Sequence, residues 1–134
     1  MLGMAWKPDV TVAAVVERDG QFLFVEERSG GRVVLNQPAG HLERGETLLE
    51  AVARETLEET GWSFVPRHLV GIYLWQAEHS TKTFLRVAFS GHLQGHDPSR
   101  PLDHGILRTR WLDREQLSDR KSTRLNSSHI PISY

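Results

Sequence analysis

The chain of 134 residues contains no cysteine, so no disulfide framework can support its fold, a composition compatible with the cytosol. No run of 18 apolar residues is present and no basic leader with an apolar core opens the sequence. Neither a membrane span nor a secretory signal is therefore expected, and the protein reads as soluble and cytoplasmic. An excess of either charge is also missing, because 16 Lys and Arg stand against 17 Asp and Glu for a formal net charge of -1. That balance gives no electrostatic footprint for nucleic acid, and any anionic ligand must be recognised locally. No internal repeat or linker is visible. A hydrophobic content of 39% over this length fits one domain with its own core and leaves no room for a second.

What is present is concentrated in residues 40 to 62. Gly40 is followed after five residues by Glu46, and after seven more by Arg54-Glu55-x-x-Glu58-Glu59-x-Gly61. Seven fixed residue types, each about 7% of average composition, coincide in a given window roughly once in 10⁸ trials, so chance does not explain the pattern. Thr47-Leu48-Leu49-Glu50 has the form of a capping box, which starts a helix near Leu48. Gly61 supplies the left-handed residue that closes one, so the helix is expected to end near Thr60. At about 100° per residue, Leu49, Val52, Ala53 and Thr56 form a stripe for the core, and Glu55, Glu58 and Glu59 share an adjoining arc. Three acids this close repel unless something compensates them. Arg54, at (i, i+4) to Glu58, offsets part of the repulsion, and a bound cation would offset the rest. An acidic helix face is most often simply solvated. Here the glycine loop, Glu46 and Arg54 in register favour a site for Mg²⁺, which takes hard oxygen ligands and phosphate oxygens together.

These residues resemble the signature of the Nudix hydrolases. The one departure is Thr56, where an aliphatic residue is usual and where a threonine methyl can still face the core. The resemblance implies an α/β/α sandwich with a mixed β-sheet, and hydrolysis of a diphosphate linked to another group, X. It further implies Mg²⁺, with Mn²⁺ as a substitute, held by Glu55, Glu58, Glu59 and the carbonyl of Gly40. Arg54 would orient a ligand carboxylate and Glu46 would serve a structural or outer role. The general base varies across the family, which leaves Glu58 or Glu55 from inside the motif and Asp103 from a distant loop. Retention of all four motif glutamates argues against a non-catalytic binding module of the same fold.

The resemblance extends over roughly residues 7 to 117. Val10-Thr11-Val12-Ala13, Phe22-Leu23-Phe24-Val25-Glu26-Glu27, Asn36-Gln37-Pro38-Ala39-Gly40-His41-Leu42-Glu43, Trp75 and Phe84-Leu85-Arg86 are similar to a branch of bacterial phosphatases. Those enzymes release inorganic phosphate from nucleoside tri- and diphosphates and from the pyrophosphate of the thiamin pyrimidine precursor. The alternative within the family is a MutT-like triphosphate pyrophosphohydrolase. The downstream proline typical of ADP-ribose pyrophosphatases is missing at its usual spacing, since Pro66 is the only proline between the motif and Pro98. The partner is thus expected to be a small phosphoanhydride, with no nucleic acid and no membrane, and the protein a monomer or small homo-oligomer.

Strands are expected at residues 10–17 and 21–26, joined by the hairpin signal Asp19-Gly20, and at residues 33–37 after the turn Ser29-Gly30-Gly31. Two long strands, 69–77 and 83–93, join at a turn near His79-Ser80, a short strand covers 108–112, and a second helix begins at Arg114. Candidate substrate contacts follow from these placements. Tyr73 and Trp75 share one strand face, where they either stack on a base or pack into the core. Gln37, entering the glycine loop, either reaches X or makes an ordinary sheet hydrogen bond. Arg86, or Lys82 in the preceding turn, either meets a phosphate or stands exposed. His41 is expected to make a local hydrogen bond.

The C-terminus reads differently. Residues 119–129 look like a translated sequencing-adapter read, and Ile132-Ser133-Tyr134 fits its continuation. The Nudix domain is accordingly expected at residues 1–118, truncated at its C-terminus, with residues 119–134 a non-native tail.

Overall fold

A computed structural model describes residues 5–122 of the chain. Most of the expected tail, residues 123–134, lies outside the described residues. Ten elements follow one another: β1 (Asp9–Val15), β2 (Glu17–Arg18), β3 (Gln21–Ser29), β4 (Arg32–Asn36), β5 (Ala39–His41), α1 (Leu48–Thr60), β6 (Trp62–Gln76), β7 (Thr83–His96), β8 (Ile106–Asp113) and α2 (Arg114–Ser122). One sheet has the order β5-β1-β7-β6 and is mixed, with β1 parallel to β7 and the other pairs antiparallel. In the second, β3 pairs antiparallel with β2, β4 and β8. The fold is α/β with a mixed sheet, as expected.

The turn chemistry behaves as the residues dictate. Asp19 and Gly20 both have positive φ, as do Gly30 and Gly31, the requirement of tight two-residue hairpins that follow the sheet twist. The expected strand 69–77 is instead β6, which starts seven residues earlier at Trp62. Proline inside a run argues against a central strand, yet β6 lies at the sheet edge, and its register shifts between Pro66 and His68. The proline therefore costs no central ladder bond.

Helix α1 is capped at both ends. Thr47 Oγ1 accepts from the Glu50 amide at 3.1 Å, and the Thr47 amide donates to Glu50 Oε1 at 2.8 Å. At the other end Gly61 adopts φ 77° and donates to the Leu57 carbonyl. The buried face is rotated from the expected stripe. Leu49 is 51% exposed, whereas Ala51, Val52, Glu55, Thr56, Glu59 and Thr60 are buried. Hydropathy alone turns carboxylates outward, and here two of them turn in. Thr56 is fully buried, and its hydroxyl donates to the Val52 carbonyl at 2.7 Å, so the departure from the motif leaves no polar group unpaired.

Ala51 and Val52 meet Val12, Ala14, Val16, Leu23, Phe64, Val87 and Phe89 in the principal core. Because successive strand residues face opposite ways, Phe24 joins Leu35 and Leu112 in a second cluster, against which Leu117 of α2 packs. The core thus anchors α1 against the mixed sheet and fixes where its acidic arc points.

Gly61 has both a left-handed backbone and no space, since a Cβ there would lie 2.8 Å from the Asp97 carbonyl oxygen. Gly61→Ala should cost at least about 1–2 kcal/mol, the strain of a left-handed alanine, read as a lowered midpoint in urea unfolding.

Candidate active site

Arg54 is the centre of the acidic arc. Its Nε and Nη2 donate to both oxygens of Glu46 at 3.0 and 2.8 Å, while Nη1 donates to Glu55 at 2.8 Å and to Glu58 at 3.2 Å. Nη2 also reaches the His41 carbonyl at 3.0 Å, so the guanidinium fork joins the glycine loop to the helix. Glu46 in turn accepts from the Glu43 amide at 2.8 Å. Arg54, and secondarily that amide, hold the Glu46 carboxyl below its ordinary value, while Glu46 above all, then Glu55 and Glu58, hold Arg54 above its own.

The three motif acids have different surroundings. Burial pushes the Glu55 carboxyl upward against the pull of Arg54. Burial also pushes Glu59 up to about 8, although the Ala39 amide donates to its Oε1 at 3.0 Å. Glu58 is more open, at 27% side-chain exposure. The loop before β8 adds the fourth acid. The Asp103 amide donates to the Glu58 carbonyl at 3.0 Å, and carboxylate oxygens of Glu55, Glu58 and Asp103 all lie within 4.8 Å of one another. These are oxygen donors only, the set that suits a hard divalent cation. Glu59 stands outside this cluster, beside β5. A Cβ at Gly40 would overlap the Glu55 carboxylate, so glycine there leaves that carboxylate its position.

A cavity of about 840 Å³ opens beside the cluster, lined by Gly40, Glu55 and Glu59 together with Thr11, Asn36, Trp75, Phe84 and Arg86. A second, about 410 Å³, is lined by Gln37, Val70, Tyr73 and Leu74 and shares Trp75 and Arg86 with the first. Tyr73 and Trp75 pair with Arg86 and Phe84 in register and do share a face. Trp75 stacks on Phe84 with centroids 5.3 Å apart. Gln37 lines the second cavity and not the first. Lys82 pairs with Asp9 at 3.7 Å and lines neither cavity. His41 keeps an exposed side chain and contributes its carbonyl to Arg54. Sequence reasoning missed Thr11, Asn36 and Phe84 on the cavity wall. Strand alternation puts Phe84 on the face of Arg86, whereas Thr11 comes beside Arg86 through the β1–β7 register and Asn36 through its bond to Arg86.

Residues 6–133 match the NUDIX domain family. The chain belongs to the Nudix family and is a hydrolase of phosphoanhydride bonds. It is 47% identical to phosphatase NudJ of Escherichia coli K12 over 112 residues, 84% of this chain and 72% of that protein, and is a close relative of that phosphatase. The structure of a NUDIX hydrolase from Nitrosomonas europaea superposes with a TM-score of 0.83 at 49% identity, covering 87% of this chain and 79% of that one. A MutT NUDIX hydrolase from Burkholderia pseudomallei shares the fold, with a TM-score of 0.73 at 20% identity over 83% of this chain and 87% of that one. Among the described residues no helix is long and apolar enough to cross a membrane.

Two outcomes follow from this geometry. Gly40→Ala should leave thermal stability nearly unchanged, because the displaced group is the end of a flexible side chain, yet lower kcat at least tenfold by moving the Glu55 carboxylate. In metal-free protein Glu59 binds its proton more tightly folded than unfolded, so stability should fall as pH rises from about 4.5 through about 8. Glu59→Gln keeps the acceptor for Ala39 and should flatten that decline, measured by urea unfolding in chelator.

Proposed function

We propose that this protein is a Mg²⁺-dependent phosphohydrolase of the NudJ type, which releases inorganic phosphate from nucleoside tri- and diphosphates and from hydroxymethylpyrimidine pyrophosphate. The observation that carries the reading is the convergence of Asp103 with Glu55 and Glu58 within 4.8 Å, beside a cavity open to a ligand. Glu55, Glu58 and Asp103 would hold Mg²⁺, with Mn²⁺ as a substitute, and Glu59 and the Gly40 carbonyl would be further ligands. When bound, such a cation polarises phosphate oxygens and favours attack by water. Arg54 does not touch substrate in this reading. It holds Glu55 and Glu58 in place, and the proton of the attacking water passes to one of Glu58, Glu55 and Asp103. Trp75 and Gln37 contact X in the smaller cavity, and Arg86 contacts phosphate at its boundary.

The enzyme acts in the cytoplasm, as a monomer or small homo-oligomer, without nucleic acid or membrane partners. Residues 1–118 form the Nudix domain and residues 119–134 are a non-native tail, which resequencing of independently prepared DNA would confirm or refute.

Purified protein incubated with Mg²⁺ and a panel of nucleoside tri- and diphosphates should release phosphate, diphosphates included. Pyrophosphate released from triphosphates alone would replace this reading with the MutT-like one. Glu58→Gln should lower turnover by on the order of 10³, equivalent to about 4 kcal/mol. A loss below tenfold in folded protein would remove Glu58 from the catalytic set.

A further inference from the structure

Among the described residues only two buried side-chain polar atoms lack a hydrogen-bond partner, Thr11 Oγ1 and Arg86 Nε. Buried polar groups are rarely left unpaired, and an exception calls for a physical reason. The two are not scattered. Thr11 and Arg86 are register partners on the parallel strands β1 and β7, so they project from one sheet face on strands about 4.8 Å apart. Both line the larger cavity, and Thr11 is only 8% exposed.

The rest of the Arg86 side chain is held. Its Nη2 donates to Asn36 Oδ1 at 3.3 Å, and Asn36 Nδ2 donates to Glu27 Oε1 at 2.9 Å. Its guanidinium carbon lies 5.8 Å from the Trp75 ring centroid. Nη2 is thus paired, while Nε, which faces the same side of the guanidinium, has no protein acceptor. Among the described residues Arg86 is also the only lysine or arginine lining this cavity, against Glu43, Glu55, Glu59 and Glu78. An anionic ligand therefore finds one fixed cationic wall, set apart from the three-carboxylate cluster.

We propose that Thr11 Oγ1 and Arg86 Nε form a two-donor seat for a non-bridging oxygen of the phosphoryl group bonded directly to X, with Asn36 and Glu27 as positioning residues for the guanidinium. The assignment to that phosphoryl group rests on the proposed function and on the cavities. Arg86 and Trp75 are common to both, so a ligand spanning them places the X-linked phosphate at Arg86. Thr11 is then a substrate-binding contact of this site, one made to the phosphate and not to X.

The test compares Thr11→Val, Thr11→Ser, Asn36→Ala, Glu27→Gln and Glu27→Ala with the wild-type chain in three readouts: melting temperature without ligand, steady-state kinetics on nucleoside di- and triphosphates, and calorimetric binding of a nucleoside monophosphate beside the bare nucleoside. Thr11→Val removes an unpaired buried hydroxyl at nearly constant shape, so it should melt at or above the wild-type temperature. It should nevertheless raise KM about 10- to 100-fold, the range for a hydrogen bond to a charged group, with kcat changed less than about threefold. Monophosphate binding should weaken by the same factor, nucleoside binding should not change, and Thr11→Ser should restore both. Asn36→Ala should reproduce the KM effect, and Glu27→Gln, which keeps an acceptor for Asn36, should retain wild-type affinity while Glu27→Ala does not. Unchanged KM in Thr11→Val, a lowered melting temperature with unchanged affinity, or an equal loss for the bare nucleoside would each overturn the seat. Wild-type protein that neither hydrolyses nor binds any of these phosphates would overturn the functional reading as well.

Discussion

The site depends on one guanidinium. Two carboxylates within 4.8 Å repel by about 3.5 kcal/mol at an effective dielectric near 20, and burial raises the cost of charging Glu55 further. Arg54 answers this from within the same helix, touching Glu55 and Glu58 with Nη1 while its other nitrogens grip Glu46 and the His41 carbonyl. Without it the acids would separate or take up protons. With it they remain close and anionic enough for a cation to settle among them. The same contacts tie the glycine loop to α1, so loop geometry and ligand geometry are one constraint.

Much of this was legible because local chemistry dictates it. A threonine followed three residues later by glutamate starts a helix, and a glycine that alone tolerates φ 77° ends it. Asp19-Gly20 and Gly30-Gly31 mark hairpins for the same reason. Pairing the motif with Asp103 came from family resemblance, and no spacing rule reaches across 45 residues. What escaped the sequence was the direction of the acids. A hydropathy stripe assigned Leu49 and Ala53 to the core, but α1 instead buries Glu55 and Glu59. Arg54 and the Ala39 amide offset part of the cost of those burials, through contacts set by tertiary structure. The strand β6 was half missed for a related reason, since Pro66 is forbidden in a central strand and harmless at an edge.

The two halves of the site differ in how firmly they are built. The acids and Arg54 ride on α1, which is capped at both ends and packed into the principal core. Arg86 and Thr11 stand on β7 and β1, the two inner strands of the mixed sheet. The wall of the smaller cavity comes instead from β6, an edge strand with register shifts and with Val70, Tyr73 and Leu74 about half exposed.

That division has a physical consequence for specificity. Phosphoryl transfer chemistry needs ligand oxygens held to a fraction of an ångström, which capped helices and central strands provide. Recognition of X needs only a surface of suitable shape and polarity, and an edge strand can change its side chains without disturbing a ladder on its outer side. The boundary falls at Arg86 and Trp75, the two residues common to both cavities. Arg86 is fixed by Asn36 and Trp75 by its stack on Phe84, so the junction itself is rigid. Substitutions on β6 beyond that junction should therefore alter which X is accepted, while the geometry at the phosphates stays as α1 and the inner strands set it.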